Sequence, residues 1–477
     1  MKANSQIDRS VIFLALIGIF IFIPSHAEAY IGPGAGFAFL GSTAVFLLTI
    51  VMAVLTIAFW PIQWLWRRLT KKGISKRARA RRVVIIGLDG LEPKLVDQYM
   101  AAGKLPNLKS MSETGSFERL GTTLPALSPV AWSTFQTGVN PGAHNIFDFL
   151  TRDKRFCLPQ LASTETNTVT KVINLLGYKL KRQKSEIKIT RKSQPFWKIL
   201  GKHGVFSNVI RVPISYPPEK FNGNVLSAMC TPDLKGTQGS FTYFTTRKES
   251  HEKSTGGDIR IVERKGDLIE GSIDGPPKSD GKGFVQALFS ITISSDEKSA
   301  TIKIGNETEK LKLNEFSRWL EVPFIWNGKE ILGICRFCLR ELGKDVSIYA
   351  SPINIHPEKP ALPIAHPIYF SSWLAKRNGL YGTLGLMEDT WGRNEYALDD
   401  ARFLDQSYLN HNEREKMLLD ALDRTNEGVC ICVFDASDRI QHMFWRYLDD
   451  NHPSPKEENS IFKNAIPEMY EKMDALI

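Results

Sequence analysis

"RRVVIIGLDG", residues 81–90, decides how the rest of the chain is read. Four β-branched residues, Val83 to Ile86, run without a polar interruption and stop at Gly87, Leu88, Asp89 and Gly90. A short unbroken apolar run reads as a strand buried on both faces, and the glycines mark the turn that ends it. "LEPKLVDQYMAAGKLPNLKSM" then reads as helix, so the order is strand, loop, helix. "GVFSNVIRVPISYPP" (Gly204–Pro218), after the helical "QPFWKILGKH", and "GVCICVFDASD" (Gly428–Asp438), after "NEREKMLLDALDRTN", supply two more such units. The order predicts an α/β fold with a mostly parallel sheet flanked by helices.

Working outward, residues 83–235 and 376–477 form the two parts of this core. Between them, 236–375 carries short alternating runs such as "DIRIVER", "SATIKIG" and "ILGICRFCL" among Lys, Asp and Gly, which predicts a β-rich cap insertion. The 477 residues show no repeat and no low-complexity tract, and 43% hydrophobic with 23% charged is a globular balance. Of the six cysteines, Cys335 and Cys338 form a lone CxxC in a strand-like run, while Cys430 and Cys432 share a face of another. With no second CxxC and no His pattern, these read as buried thiols rather than a zinc site.

The net charge of +10 suggests a nucleic-acid binder until its position is considered. Nine Lys and Arg fall between Arg67 and Arg82 with no acid, and without them the chain has 52 basic against 51 acidic residues. Specific nucleic-acid binding is therefore not expected. Just upstream, Ala35 to Trp66 runs 32 residues without a charge, longer than the ~20 that cross a bilayer, and ends in Trp60, Trp64 and Trp66. Residues 30–82 are thus predicted to be a transmembrane helix with a basic juxtamembrane linker, and the lipid bilayer a partner. Residues 1–29, with the apolar run Val11–Ile23 and the small-x-small pattern Ala27-Glu28-Ala29, read as a signal peptide or as a first hydrophobic helix. The positive-inside rule places the domain that follows residue 82 on the cytoplasmic face of an inner membrane, with a periplasmic location as the alternative.

In an open α/β sheet, ligands bind beyond the carboxyl ends of the strands, where Asp89 and, after "VCICVF", Asp435 and Asp438 stand. Asp438 and His442 are four apart on a predicted helix, so their side chains share a face and could grip one metal. Ser128, in "GTTLPALSPVAWSTFQTG" (Gly121–Gly138), reads both as a helix N-cap ahead of Pro129 and as a nucleophile.

These stretches together resemble the alkaline phosphatase superfamily, most closely its type I phosphodiesterase and nucleotide pyrophosphatase branch. The strand-end Asp89 is followed 39 residues later by Ser128, which stands ten before Gly138 in "TGVNPGAHNIFDF" with Pro141 and His144, and "DASDRIQH" offers Asp438 and His442. The resemblance covers about 83–235 and 376–477. It implies an alkaline-phosphatase-like fold and a hydrolase that uses two divalent ions, zinc in the first place, with Ser128 as nucleophile and ligand and Asp89, Asp438 and His442 as further ligands. Its substrate would be a nucleotide-like or head-group phosphoester. Where the branch carries an Asn 21 residues after the nucleophile this chain has Phe149, and Asn145 is a substitute donor. The branch's later Asp-His-Gly run and final His do not occur, so the chain is expected to be a fragment or a truncated product. His356, His366 and His452 are weaker substitutes, each beside or near a Pro in a loop. The alternatives are a phosphoethanolamine-type transferase and a catalytically incomplete membrane-anchored remnant that binds a phosphate ligand or a partner.

Overall fold

The alternation along Gly428–Phe434 builds the middle of the molecule. Val429, Ile431 and Val433 pack on one face with Trp197, Val209, Val225 and Trp132, while Cys430, Cys432 and Phe434 pack on the other with Phe403, Ile440, Phe444 and Tyr470. All seven residues of this strand are buried, as a period of two with apolar residues at every position requires. The computed structural model describes residues 46–55, 57–59, 61, 78–153, 155–175, 178–248, 256–454 and 460–477.

The central sheet has five strands: β1 (Arg82–Leu88), β2 (Ser207–Ile210), β3 (Gly223–Leu226), β4 (Ala365–His366) and β5 (Gly428–Phe434). Their spatial order is β1-β5-β2-β3-β4, parallel throughout except that β4 runs antiparallel to β3. The helices that matter for the site are α1 (Pro93–Ala101), α2 (Ser128–Thr137), α3 (Asp400–Arg424), α4 (Ala436–Leu448) and α5 (Ala465–Leu476). Helices α1, α3, α4 and α5 cover one face of the sheet, and α2 contributes Trp132 and Phe135 to the other. The expected mostly parallel sheet flanked by helices is what forms. β1 lies at the edge of the sheet, and Val83 and Val84 in it are 43% and 40% exposed.

Between β3 and β4 the chain is almost wholly β. A five-stranded antiparallel meander (Arg264–Lys312), a three-stranded sheet and a four-stranded sheet enclose a separate core of Ile269, Ile291, Ile302, Leu320, Phe324 and Phe337. This region meets α3 through Glu413, which accepts hydrogen bonds from Trp319 Nε1 at 2.7 Å and Arg336 Nη2 at 2.6 Å. A two-stranded ribbon, Thr164–Leu175 with Tyr178–Ile189, lies within 83–235, an addition to the expected core.

Residues 1–71 and 72–477 are two separate units. In the first, 46–55 is helical with its side chains exposed. Here the structure departs from the sequence expectation: among the described residues no helix is long and apolar enough to cross a membrane. The rest of the run Ala35–Trp66, the signal-peptide region 1–29 and most of the basic linker lie outside the described residues.

Candidate active site

β1 and β5 end level, Leu88 opposite Phe434, and the Asp89 amide donates to the Phe434 carbonyl at 2.8 Å. Asp89 is therefore the first residue beyond the sheet, at its carboxyl edge. Its peptide is held from α4: Ser437 Oγ donates to the Asp89 carbonyl at 2.7 Å, and Gln441 Nε2 to the Gly90 carbonyl at 2.6 Å. Tyr470 on α5 completes the clamp, accepting from the Glu92 amide at 2.8 Å and donating to Gln441 Oε1 at 3.1 Å. Gly90 has φ +67°, and a Cβ there would stand 2.7 Å from Asp438 Oδ1. The turn is thus glycine for two reasons, its left-handed backbone and the carboxylate lying against it.

Ser128 is not the N-cap of α2. Leu127 takes that position, with φ −124° and ψ 141°, Ser128 is the first helical residue, and no side chain caps the helix. The Ser128 hydroxyl turns instead to Asp89 Oδ1 at 3.3 Å, and one turn later Trp132 Nε1 donates to the same oxygen at 2.8 Å. The far end of α2 is fixed by Gln136, which donates to the Pro213 carbonyl at 3.0 Å and accepts from the buried Arg191 at 2.9 Å. His144 packs below the helix end. Its Nδ1 accepts from the Ile146 amide at 3.1 Å, so its proton is on Nε2, which donates to Thr134 Oγ1 at 3.0 Å. Burial, and then Arg191, push its pKa down, which keeps it neutral. The "PGAH" run therefore braces the Ser128 helix.

On α4, Asp438 and His442 share a face as their spacing requires, Nε2 to Oδ1 at 3.4 Å, and the imidazole is largely exposed. Hydrogen bonding to Asp438 raises the His442 pKa. Burial and then the charge of Asp438 push Asp89 up to about 6, against the lowering effect of Trp132, Arg439 and Ser128. A buried carboxylate whose proton affinity is raised by a neighbouring carboxylate is a place where a cation is favoured. Asp89 Oδ2 adds the decisive detail: it is buried and has no hydrogen-bond partner. An orphaned carboxylate oxygen beside a second carboxylate and an imidazole suits a divalent cation that accepts oxygen and nitrogen donors. Among the described residues no group of three or more His, Cys, Asp or Glu is gathered to hold a metal, so Asp89 with Ser128 and Asp438 with His442 are each a partial donor set.

The remaining sequence candidates fall elsewhere. Asn145 is an exposed, left-handed C-cap of Pro141–His144, its amide bonded to the Pro141 carbonyl at 2.8 Å. Phe149 packs beside Ile214 and Met229. Asp435 is buried in an ion pair with Arg414 on α3. His356 bonds Glu321 at 3.1 Å in the β region, His366 the Phe221 carbonyl at 3.2 Å, and His452 the Ser454 amide at 3.1 Å. Cys335, Cys338, Cys430 and Cys432 are buried free thiols. Sequence reasoning missed Trp132, Ser437, Gln441 and Tyr470. Only Trp132 carried a local signal, its place four residues after Ser128 on the same helix face.

The site thus gathers a hydroxyl on a carboxylate at the carboxyl edge of a mostly parallel sheet, with an Asp and a His on the helix that follows β5. Residues 83–258 match the type I phosphodiesterase / nucleotide pyrophosphatase family, and this similarity supports a hydrolase acting on phosphoester bonds. Asp89 and Ser128 lie inside the match, and Asp438 and His442 lie beyond it. No curated protein and no solved structure matches the chain.

Proposed function

We propose that the chain is a metal-dependent phosphodiesterase lineage with Ser128 as nucleophile, acting on nucleotide-like or head-group phosphoesters. The observation that carries this is the Ser128 hydroxyl turned onto Asp89 Oδ1, away from the capping role its position offered. Divalent ions, zinc in this reading, would draw charge from the phosphoryl oxygens and make the attacking hydroxyl more acidic. Asp89 with Ser128 would hold one ion and Asp438 with His442 the other. The chain's own part is positional. Ser128 Oγ attacks phosphorus, the bond to the leaving alcohol breaks, and the hydroxyl proton passes toward Asp89 Oδ1, to which it already donates. Water then cleaves the Ser128–phosphorus bond, releasing a phosphomonoester and restoring the hydroxyl.

Membrane anchoring is part of the same reading. The charge-free run Ala35–Trp66, followed at once by nine basic residues, supports a chain held at the cytoplasmic face of an inner membrane. A reporter fused after residue 82 that is active only outside the cytoplasm would place the domain in the periplasm instead. The partial donor sets support a second reading, a remnant that binds a phosphate ligand without turning it over. Turnover of a nitrophenyl phosphodiester under excess zinc, lost in Ser128→Ala, separates the two: Ser128-independent or absent turnover leaves the binding remnant. Adding an alcohol acceptor distinguishes hydrolysis from phosphoethanolamine-type transfer by its product.

A further inference from the structure

The two oxygens of Asp89 are not equivalent. Oδ1 accepts from Trp132 Nε1 at 2.8 Å and from the Ser128 hydroxyl at 3.3 Å, while Oδ2 is buried and unpartnered. The indole is built into the fold at this point. Its ring packs with Val433 and Ile85 on the sheet, edge-on to Phe135 at 5.3 Å, and a Cβ at Gly87 would lie 2.5 Å from its Cη2. β1 therefore carries glycine two residues before Asp89 because the Trp132 ring occupies that space.

We propose that Trp132 is a positioning residue for Asp89: its indole N–H occupies Oδ1 and leaves Oδ2 as the single oxygen offered to a divalent cation. The proposal rests on the reading of Asp89 as a metal ligand. The carboxylate torsion of Asp is broad and roughly two-fold, so a free Asp89 would sample several orientations. An indole N–H is a donor only, with no acceptor role and no titration near neutral pH, so its bond to Oδ1 persists through the reaction. The Ser128 bond does not share that property, because the hydroxyl leaves Oδ1 when it attacks phosphorus. During that step Trp132 alone orients the ligand. Hydrogen-bond partners of this kind typically change metal affinity or activity 10–100-fold.

Calorimetric titration of zinc into the full chain tests this. Trp132→Phe, which keeps an aromatic ring and removes the donor, is expected to weaken zinc binding by roughly 10–100-fold. Gly87→Ala, which drives the ring from its seat without touching any ligand, is expected to weaken it in the same direction. Phe135→Leu, which loosens the same aromatic packing but not the bond to Asp89, is expected to bind zinc as the unaltered chain does. Asp89→Ala fixes the scale. If Asp89→Ala loses affinity while Trp132→Phe does not, the positioning role is overturned and the metal reading stands. Equal losses in Phe135→Leu and Trp132→Phe overturn it too, since packing alone then accounts for the effect. If the unaltered chain takes up no zinc, or Asp89→Ala binds it equally well, both readings fall.

Discussion

Ser437 Oγ donates a 2.7 Å hydrogen bond to the carbonyl of Asp89, a residue 348 positions earlier in the chain. The helix that follows β5 is thereby stitched to the peptide that ends β1, and the two carboxylates and the hydroxyl of the site meet at that seam. The site is a joint between the two core segments, so its geometry depends on contacts that neither segment makes alone.

Asp438→Ala and His442→Ala should each lower the zinc bound by the purified chain, since each removes one donor from the same proposed ion. The His442 side chain is largely exposed, so its removal should leave the melting temperature nearly unchanged. Metal analysis showing full zinc content in both variants would make the Asp438–His442 pair a surface ion pair only.

Gly90→Ala should damage the site without touching a ligand. The new Cβ must accept φ +67° and would stand 2.7 Å from Asp438 Oδ1. The left-handed backbone costs about 1–2 kcal/mol by itself, and displacement of Asp438 should lower zinc affinity as well. A variant with unchanged denaturation midpoint and unchanged zinc uptake would show that the turn relaxes freely.

Stability should fall as the solution is acidified from about pH 6.5, in part through His411. This side chain is buried on α3, its Nδ1 has no hydrogen-bond partner, and burial, then Arg414 and Lys472, lower its pKa to about 4. Between its folded value and the ordinary value of 6.5 the unfolded chain binds a proton that the folded chain refuses, so stability is present above that window and is lost as pH falls through it. The full effect is on the order of 3 kcal/mol. Asp89 and Asp389, both pushed up to about 6, act in the opposite direction, so the clean measurement is a difference. Urea midpoints of the unaltered chain and His411→Phe between pH 4 and 7 should diverge, with the variant losing less on acidification. Parallel curves would refute the assignment.

Asp474→Ala should destabilise the chain by about 1–2 kcal/mol. Its buried carboxylate accepts from the Asn107 amide at 3.1 Å and the Leu108 amide at 2.7 Å, so α5 caps the helix Pro106–Thr114 from a distance. Thermal melts should show Asp474→Asn, which keeps one acceptor oxygen, falling between the two. An alanine variant that melts with the unaltered chain would mean that water replaces the cap.

By itself the sequence determined what is local. The alternation in Gly428–Phe434 specifies a strand buried on both faces, because every side chain must leave water whichever way it points. The unbroken run Val83–Ile86 reads the same way but forms the edge strand, with Val83 and Val84 exposed, because an apolar run does not say whether a neighbour covers it. Strand-end placement brings Asp89 to the carboxyl edge, and a spacing of four sets Asp438 beside His442. The two-stranded ribbon Thr164–Ile189 was not legible, since mixed polar alternation in a region rich in Lys and Thr resembles loop as much as strand. Tertiary structure decided what each polar atom meets. Ser128 faces Asp89 instead of capping its own helix, Asp435 pairs with Arg414 instead of joining the site, and His144 bonds Thr134. Periodicity fixes the face on which a side chain lies, but a hydrogen bond is set to within a few tenths of an ångström by elements far apart in the chain. Trp132, Ser437, Gln441 and Tyr470 acquire their roles only when the seam between β1 and β5 closes.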